Sequence, residues 1–169
     1  KLLQINEPHK LIQNSNMIIE LGSAPGGWSQ VISILKKDST KCHAFDLLPM
    51  EKVEGINFHN LDLYSNEFEE FVSDLSIEPD LILSDMSVNL SGIKLIDDEA
   101  NKELNLFCLN LSKKILSSKG ALLIKTFTNQ NLKTLKKEFE QSFERVFIEK
   151  PKASKTSSAE VYLLGLVPK

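Results

Sequence analysis

Cysteine is scarce in this chain, and the two present, Cys42 and Cys108, lie in apolar surroundings with no C-x-x-C neighbour. That excludes a disulfide scaffold and predicts free core thiols in a reducing, cytoplasmic compartment. The three histidines, His9, His43 and His59, lack ligand spacing, so no metal site is expected. No apolar run approaches bilayer length, which removes a membrane-spanning role. An excess of positive charge is missing too. The formal charge is −3, so any RNA contact must come from a local basic patch on an acidic body. The chain starts at Lys1 rather than methionine, and a leading segment is expected ahead of it.

The 169 residues are 41% hydrophobic and 25% charged, enough for one domain with a substantial core. Neither repeats nor a linker interrupt them, so a single domain over 1–169 is expected. Apolar runs alternate with helical periodicity, the signature of an α/β sheet covered on both faces. Seven strands are predicted: 17–21, 41–46, 55–60, 80–84, 121–127, 145–149 and 159–167. Helical faces are predicted from Val31, Ile34 and Leu35, from Leu104, Phe107, Cys108, Leu111 and Ile115, and from Leu132, Leu135, Phe139 and Phe143. The lysines Lys133, Lys136 and Lys137 read first as a solvated face. Between the last two strands, residues 150–158 are too short and polar for a crossover helix, which predicts an antiparallel return at that edge.

The chemistry concentrates in one segment, Glu20-Leu21-Gly22-Ser23-Ala24-Pro25-Gly26-Gly27-Trp28-Ser29-Gln30. It reads as a strand end, a glycine turn and a helix start, whose first amides are free to meet a ligand. It is neither a P-loop, since no Gly-Lys-Ser/Thr closes it, nor a G-x-G-x-x-G dinucleotide fingerprint. The acid Glu20 suits a cofactor with an amino group or sulfonium, which favours S-adenosylmethionine over NAD; an ordinary glycine turn is the plainer alternative. In an open parallel sheet, ligands sit beyond the carboxyl ends of the strands. Asp46 falls there and could accept from both hydroxyls of a ribose. Asp62 could take an adenine amino group or be an exposed turn aspartate. Asp85 follows the fourth strand, and Glu160 starts the last. Lys125, in the apolar run Ala121-Leu122-Leu123-Ile124-Lys125-Thr126-Phe127, either serves a functional cleft or snorkels at the sheet rim. Lys150, Lys152 and Lys155 are phosphate contacts or a solvated loop.

With these residues in place, the chain resembles the FtsJ/RrmJ family of S-adenosylmethionine-dependent RNA 2′-O-methyltransferases. The resemblance runs through Leu21 to Gln30, Asp46-Leu47-Leu48-Pro49-Met50, Ser84-Asp85-Met86 with Asn89 and Ser91-Gly92, Ile124-Lys125 with Phe127, and Glu160-Val161-Tyr162. It departs at Ser87-Val88, where Ala-Pro is common. The resemblance implies a Rossmann-like methyltransferase fold with a seven-stranded, mostly parallel sheet and an antiparallel last strand. It implies a catalytic set of Lys1, Asp85, Lys125 and Glu160, and cofactor contacts at Gly26, Trp28, Asp46, Asp62 and Asp85. The implied cofactor is S-adenosyl-L-methionine. The implied substrate is a uridine 2′-hydroxyl of 23S ribosomal RNA, within the large ribosomal subunit, and a monomer is expected. Transfer RNA or a messenger cap as substrate, a non-catalytic RNA-binding assembly factor and a nicotinamide oxidoreductase are the competing readings.

Overall fold

The computed structural model describes residues 1–88, 91–154 and 157–169. Asn89 and Lys155 lie outside them. The elements run α1 (Leu2–His9), β1 (Met17–Leu21), α2 (Gly27–Leu35), β2 (Lys41–Asp46), β3 (Asn57–Asn60), α3 (Asn66–Ser73), β4 (Leu81–Ser84), α4 (Lys94–Ile115), β5 (Ala121–Phe127), α5 (Leu132–Ser142), β6 (Phe143–Glu149) and β7 (Glu160–Pro168). One sheet has the order β3-β2-β1-β4-β5-β7-β6, and only β7 runs against its neighbours. The antiparallel return is therefore as expected, but β7 is not at the edge. It inserts between β5 and β6, and its backbone groups are paired on both sides.

The central strands β1 and β4 are buried along their whole length, because helices cover both faces and both sets of alternating side chains go into core. One core joins Ile19, Leu21 and Ile82 to Phe68 of α3, Cys108 of α4 and Phe139 of α5. The other joins Ile18, Leu81 and Leu123 to Leu2 and Ile5 of α1 and Ile32 of α2. Both cysteines are buried and free, and burial pushes the Cys108 thiol up to about 12.

Three local expectations change. The third strand begins at Asn57 rather than Gly55, because Gly55 takes a left-handed φ of 72° in the preceding turn. The buried face of α2 centres on Ser29 and Ile32, leaving Ile34 80% exposed; two residues on from Ile32 along the helix, it points away from the sheet. Phe143 is not helical. It opens β6, where it remains buried against α5.

Candidate active site

The chain leaves β1 for β2 and β3 on one side, then returns to β4 on the other, so strand order reverses between β1 and β4. At such a point the loops diverge and leave a crevice. The glycine loop fills one lip. Gly22 turns at φ 75°, and a Cβ there would stand 2.4 Å from Met86 Cγ, so this turn and the one after β4 pack with no room for a side chain. Gly26, at φ 110°, caps α2 and accepts from Gln30 N–H through its carbonyl.

Alternation along each strand selects what faces the crevice. Ile18, Cys42, Ala44, Leu81, Leu83, Ala121, Leu123, Tyr162 and Leu164 all lie on the α1/α2 face. Counting by twos, that same face carries Glu20, Asp46, Asp85, Lys125 and Glu160 at or near the strand ends. Register aligns them across the sheet. Ser84 pairs with Ile124 and Lys125 with Tyr162, so Asp85, Lys125 and Tyr162 stand side by side. Lys125 Nζ donates to the Asp85 carbonyl at 2.5 Å and lies 3.3 Å from Asp85 Oδ1. Its side chain is only 12% exposed. A lysine snorkelling at the rim would reach solvent instead; this ammonium is turned inward onto Asp85.

A second pair meets the first. Lys1 Nζ lies 2.6 Å from Glu160 Oε1, held there because Leu2 and Ile5 bury α1 against the sheet. Tyr162 donates its hydroxyl to the same oxygen at 2.9 Å. Burial pushes Glu160 up, but hydrogen bonds from Lys1 and Tyr162 and the charges of Lys1 and Lys125 outweigh it and hold the carboxyl below its ordinary range. Asp85 goes the other way: burial raises it, Lys125 offsets only part of that, and the Glu160 charge adds to it. Burial also raises the Tyr162 hydroxyl, with Asp85 and Glu160 adding to the effect, so it remains a donor. Lys1, Asp85, Lys125 and Glu160 thus form two ion pairs close enough to act on one another's charge.

Of the candidate cofactor residues, Trp28 packs against Tyr162 with the rings tilted by 35° and their centroids 5.7 Å apart, which links the start of α2 to β7. Asp46 Oδ2 accepts from Ala24 N–H at 2.9 Å and Oδ1 from Leu48 N–H at 2.8 Å. Each oxygen therefore spends one lone pair holding the loops and keeps one for a ligand. Asp62 is exposed, and its Oδ1 accepts from Tyr64 N–H at 2.9 Å in a local turn. Glu20 departs from expectation. It is fully buried, with Oε2 accepting from Ser29 Oγ at 2.5 Å. Burial, reinforced by Asp85 and Asp46, raises it to about 7 against the opposing pull of the Ser29 hydroxyl.

Among the described residues, the buried side-chain oxygens left without a hydrogen-bond partner are Glu20 Oε1, Ser23 Oγ and Asp85 Oδ1. All three belong to the ends of β1 and β4 or the loop that follows β1. Native structures rarely strand buried polar atoms, so these three oxygens mark places where a water or the polar groups of a ligand would fit. No cluster of three His, Cys, Asp or Glu suited to a metal ion occurs among the described residues, and no helix there is long and apolar enough to cross a membrane. Tyr162 had no role assigned from sequence. Its signal was its place two residues after Glu160, on the same face of one strand. In the loop from 150 to 158, Lys152 is exposed, while Lys150 Nζ donates to the Ser158 carbonyl and fastens the loop's base.

Residues 1–167 match the model of the FtsJ-like methyltransferase family. The Marinobacter nauticus protein named ribosomal RNA large subunit methyltransferase E is 36% identical over 167 residues, covering 98% of this chain and 81% of that protein. Its namesake from Chromobacterium violaceum is 36% identical over 169 residues, with 98% and 82% covered. A Plasmodium falciparum protein assigned as a ribosomal RNA methyltransferase has a similar structure, with a TM-score of 0.80 at 23% identity over 99% of this chain and 94% of that one. The Methanococcus jannaschii fibrillarin pre-rRNA processing protein shares the fold at a TM-score of 0.67 and 15% identity, covering 93% and 68%. The chain belongs to the FtsJ-like methyltransferase family.

Proposed function

We propose that this methyltransferase moves a methyl group from S-adenosylmethionine to a ribose 2′-hydroxyl of large-subunit ribosomal RNA, with a uridine of 23S RNA as the target. The observation that carries the reading is the Asp85–Lys125 contact beside the stranded oxygens of the glycine loop. The name shared by the two bacterial relatives supports the substrate class. When bound, the cofactor supplies an electrophilic methyl on a sulfonium.

The chain's own groups do the rest. Gly26, Trp28, Asp46 and Asp62 would hold the adenosine part, and the free lone pairs of Asp46 would be open to the ribose hydroxyls. An ammonium has three N–H directions. Lys125 gives one to the Asp85 carbonyl and stands 3.3 Å from Oδ1 as an ion pair, which leaves N–H for the substrate hydroxyl oxygen and favours orienting the oxygen's lone pair over removing its proton. Holding a nucleophile in line this way lowers a barrier by roughly 7–11 kcal/mol in the best cases. Lys1 holds Glu160 next to Tyr162, and the N–H groups not spent on that carboxylate are left for an RNA phosphate or ribose oxygen. Mapping 2′-O-methyl groups on ribosomal and transfer RNA from cells lacking the protein tests the proposal. Loss of one ribosomal uridine methyl is the expected result. An unchanged ribosomal map would overturn it.

A further inference from the structure

Glu20 is a carboxyl group that the lysine row does not use. It ends β1 with no solvent exposure, satisfied on one oxygen by Ser29 Oγ and on the other by nothing. The groups around it come from every neighbouring element. Ser29 approaches from α2, Asp46 and Cys42 stand on β2, and Asp85 follows β4. The charges bearing on Glu20 are therefore acidic, and an anion here would be both desolvated and repelled. Its carboxyl is raised to about 7, so below that pH it is an uncharged acid. The Ser29 hydroxyl serves one oxygen only, and Oε1 is left without a partner, as are Ser23 Oγ in the loop after β1 and Asp85 Oδ1 after β4.

We propose that Glu20 is the proton-linked acid of the cofactor site: it gives up its proton to solvent when the ammonium end of the cofactor enters the hollow, so cofactor binding releases a proton. This rests on the cofactor reading above. The balance is simple. The O–H bond of the carboxylic acid breaks, the electron pair stays on Glu20, and the proton passes to buffer. A cation in a crevice already holding Asp46 and Asp85 removes the repulsion that kept Glu20 neutral, and its N–H groups supply the donors that the stranded oxygens lack. Linkage then requires affinity to rise with pH, by up to about tenfold per pH unit while Glu20 is protonated in the free protein. Ordinary surface carboxylates titrate far below this range and contribute nothing there.

Calorimetric titration with S-adenosylhomocysteine, which carries the ammonium and undergoes no transfer, tests this at pH 6 in two buffers of different ionisation enthalpy. The wild type should release close to one proton per ligand. Glu20→Gln should bind with buffer-independent heat. Ser29→Ala, which removes the hydrogen bond favouring the anion, should keep the release and move its midpoint to higher pH. 5′-Methylthioadenosine keeps the nucleoside, lacks the ammonium and should bind without the release. Buffer-independent heat in the wild type, equal release in Glu20→Gln, or equal release with methylthioadenosine would each overturn the inference. Absence of any binding by S-adenosylhomocysteine would instead overturn the cofactor reading, and the inference with it.

Discussion

The buried acid at position 20 makes a stability prediction that needs no ligand. Its carboxyl is raised from 4.5 to about 7 in the folded protein, so between those values the folded state holds a proton that the unfolded state has lost. Stability therefore falls as pH rises through that interval and levels off above it. At about 1.4 kcal/mol per pH unit, the interval corresponds to a loss of about 3 kcal/mol between pH 4.5 and 7. Glu20→Gln has the same shape and no titration. Its amide brings a new buried donor, which costs a pH-independent amount of about 1–3 kcal/mol if unpaired, so the informative quantity is the change in the mutant–wild-type difference with pH. Urea denaturation of both proteins at pH 5, 6, 7 and 8 should show Gln gaining on Glu by about 2.5 kcal/mol across the series. Parallel curves would mean that Glu20 ionises at its ordinary value, and the account of the crevice as a desolvated acidic pocket would fail.

Other outcomes follow from the same geometry. Lys125→Ala should lower methyl transfer by about 10²- to 10⁴-fold while leaving S-adenosylhomocysteine affinity within a few-fold; equal loss of both in paired assays would remove Lys125 from the chemistry. Gly22→Ala places a Cβ 2.4 Å from Met86 Cγ at φ 75°, and should destabilise by about 2–5 kcal/mol from left-handed strain and overpacking together, read by denaturant midpoint. Replacing Lys150 and Lys152 with glutamine should flatten the salt dependence of RNA binding by about 0.7 in log–log slope for each phosphate no longer neutralised; an unchanged slope in filter binding would take this loop off the RNA surface.

The alternation of strands and helices, the glycine loop, and the placement of Asp46, Asp85, Lys125 and Glu160 near strand ends were legible in the amino acids alone. These are local properties, carried by side-chain periods of about 2.0 and 3.6 residues and by turn chemistry. Family motifs added Lys1, which no local pattern singles out. Long-range packing set the rest. Sheet order seats β7 between β5 and β6, and pairing register puts Tyr162 beside Lys125 and Lys125 beside Asp85 across strands up to 40 residues apart. The strand-end pattern of Glu20 reads as an anion facing a ligand, yet burial raises its carboxyl to about 7, so it keeps its proton well above the range of an ordinary carboxyl. Its charge depends on which water and which carboxylates surround it once the chain has closed, a property of the folded interior that no stretch of neighbouring residues carries.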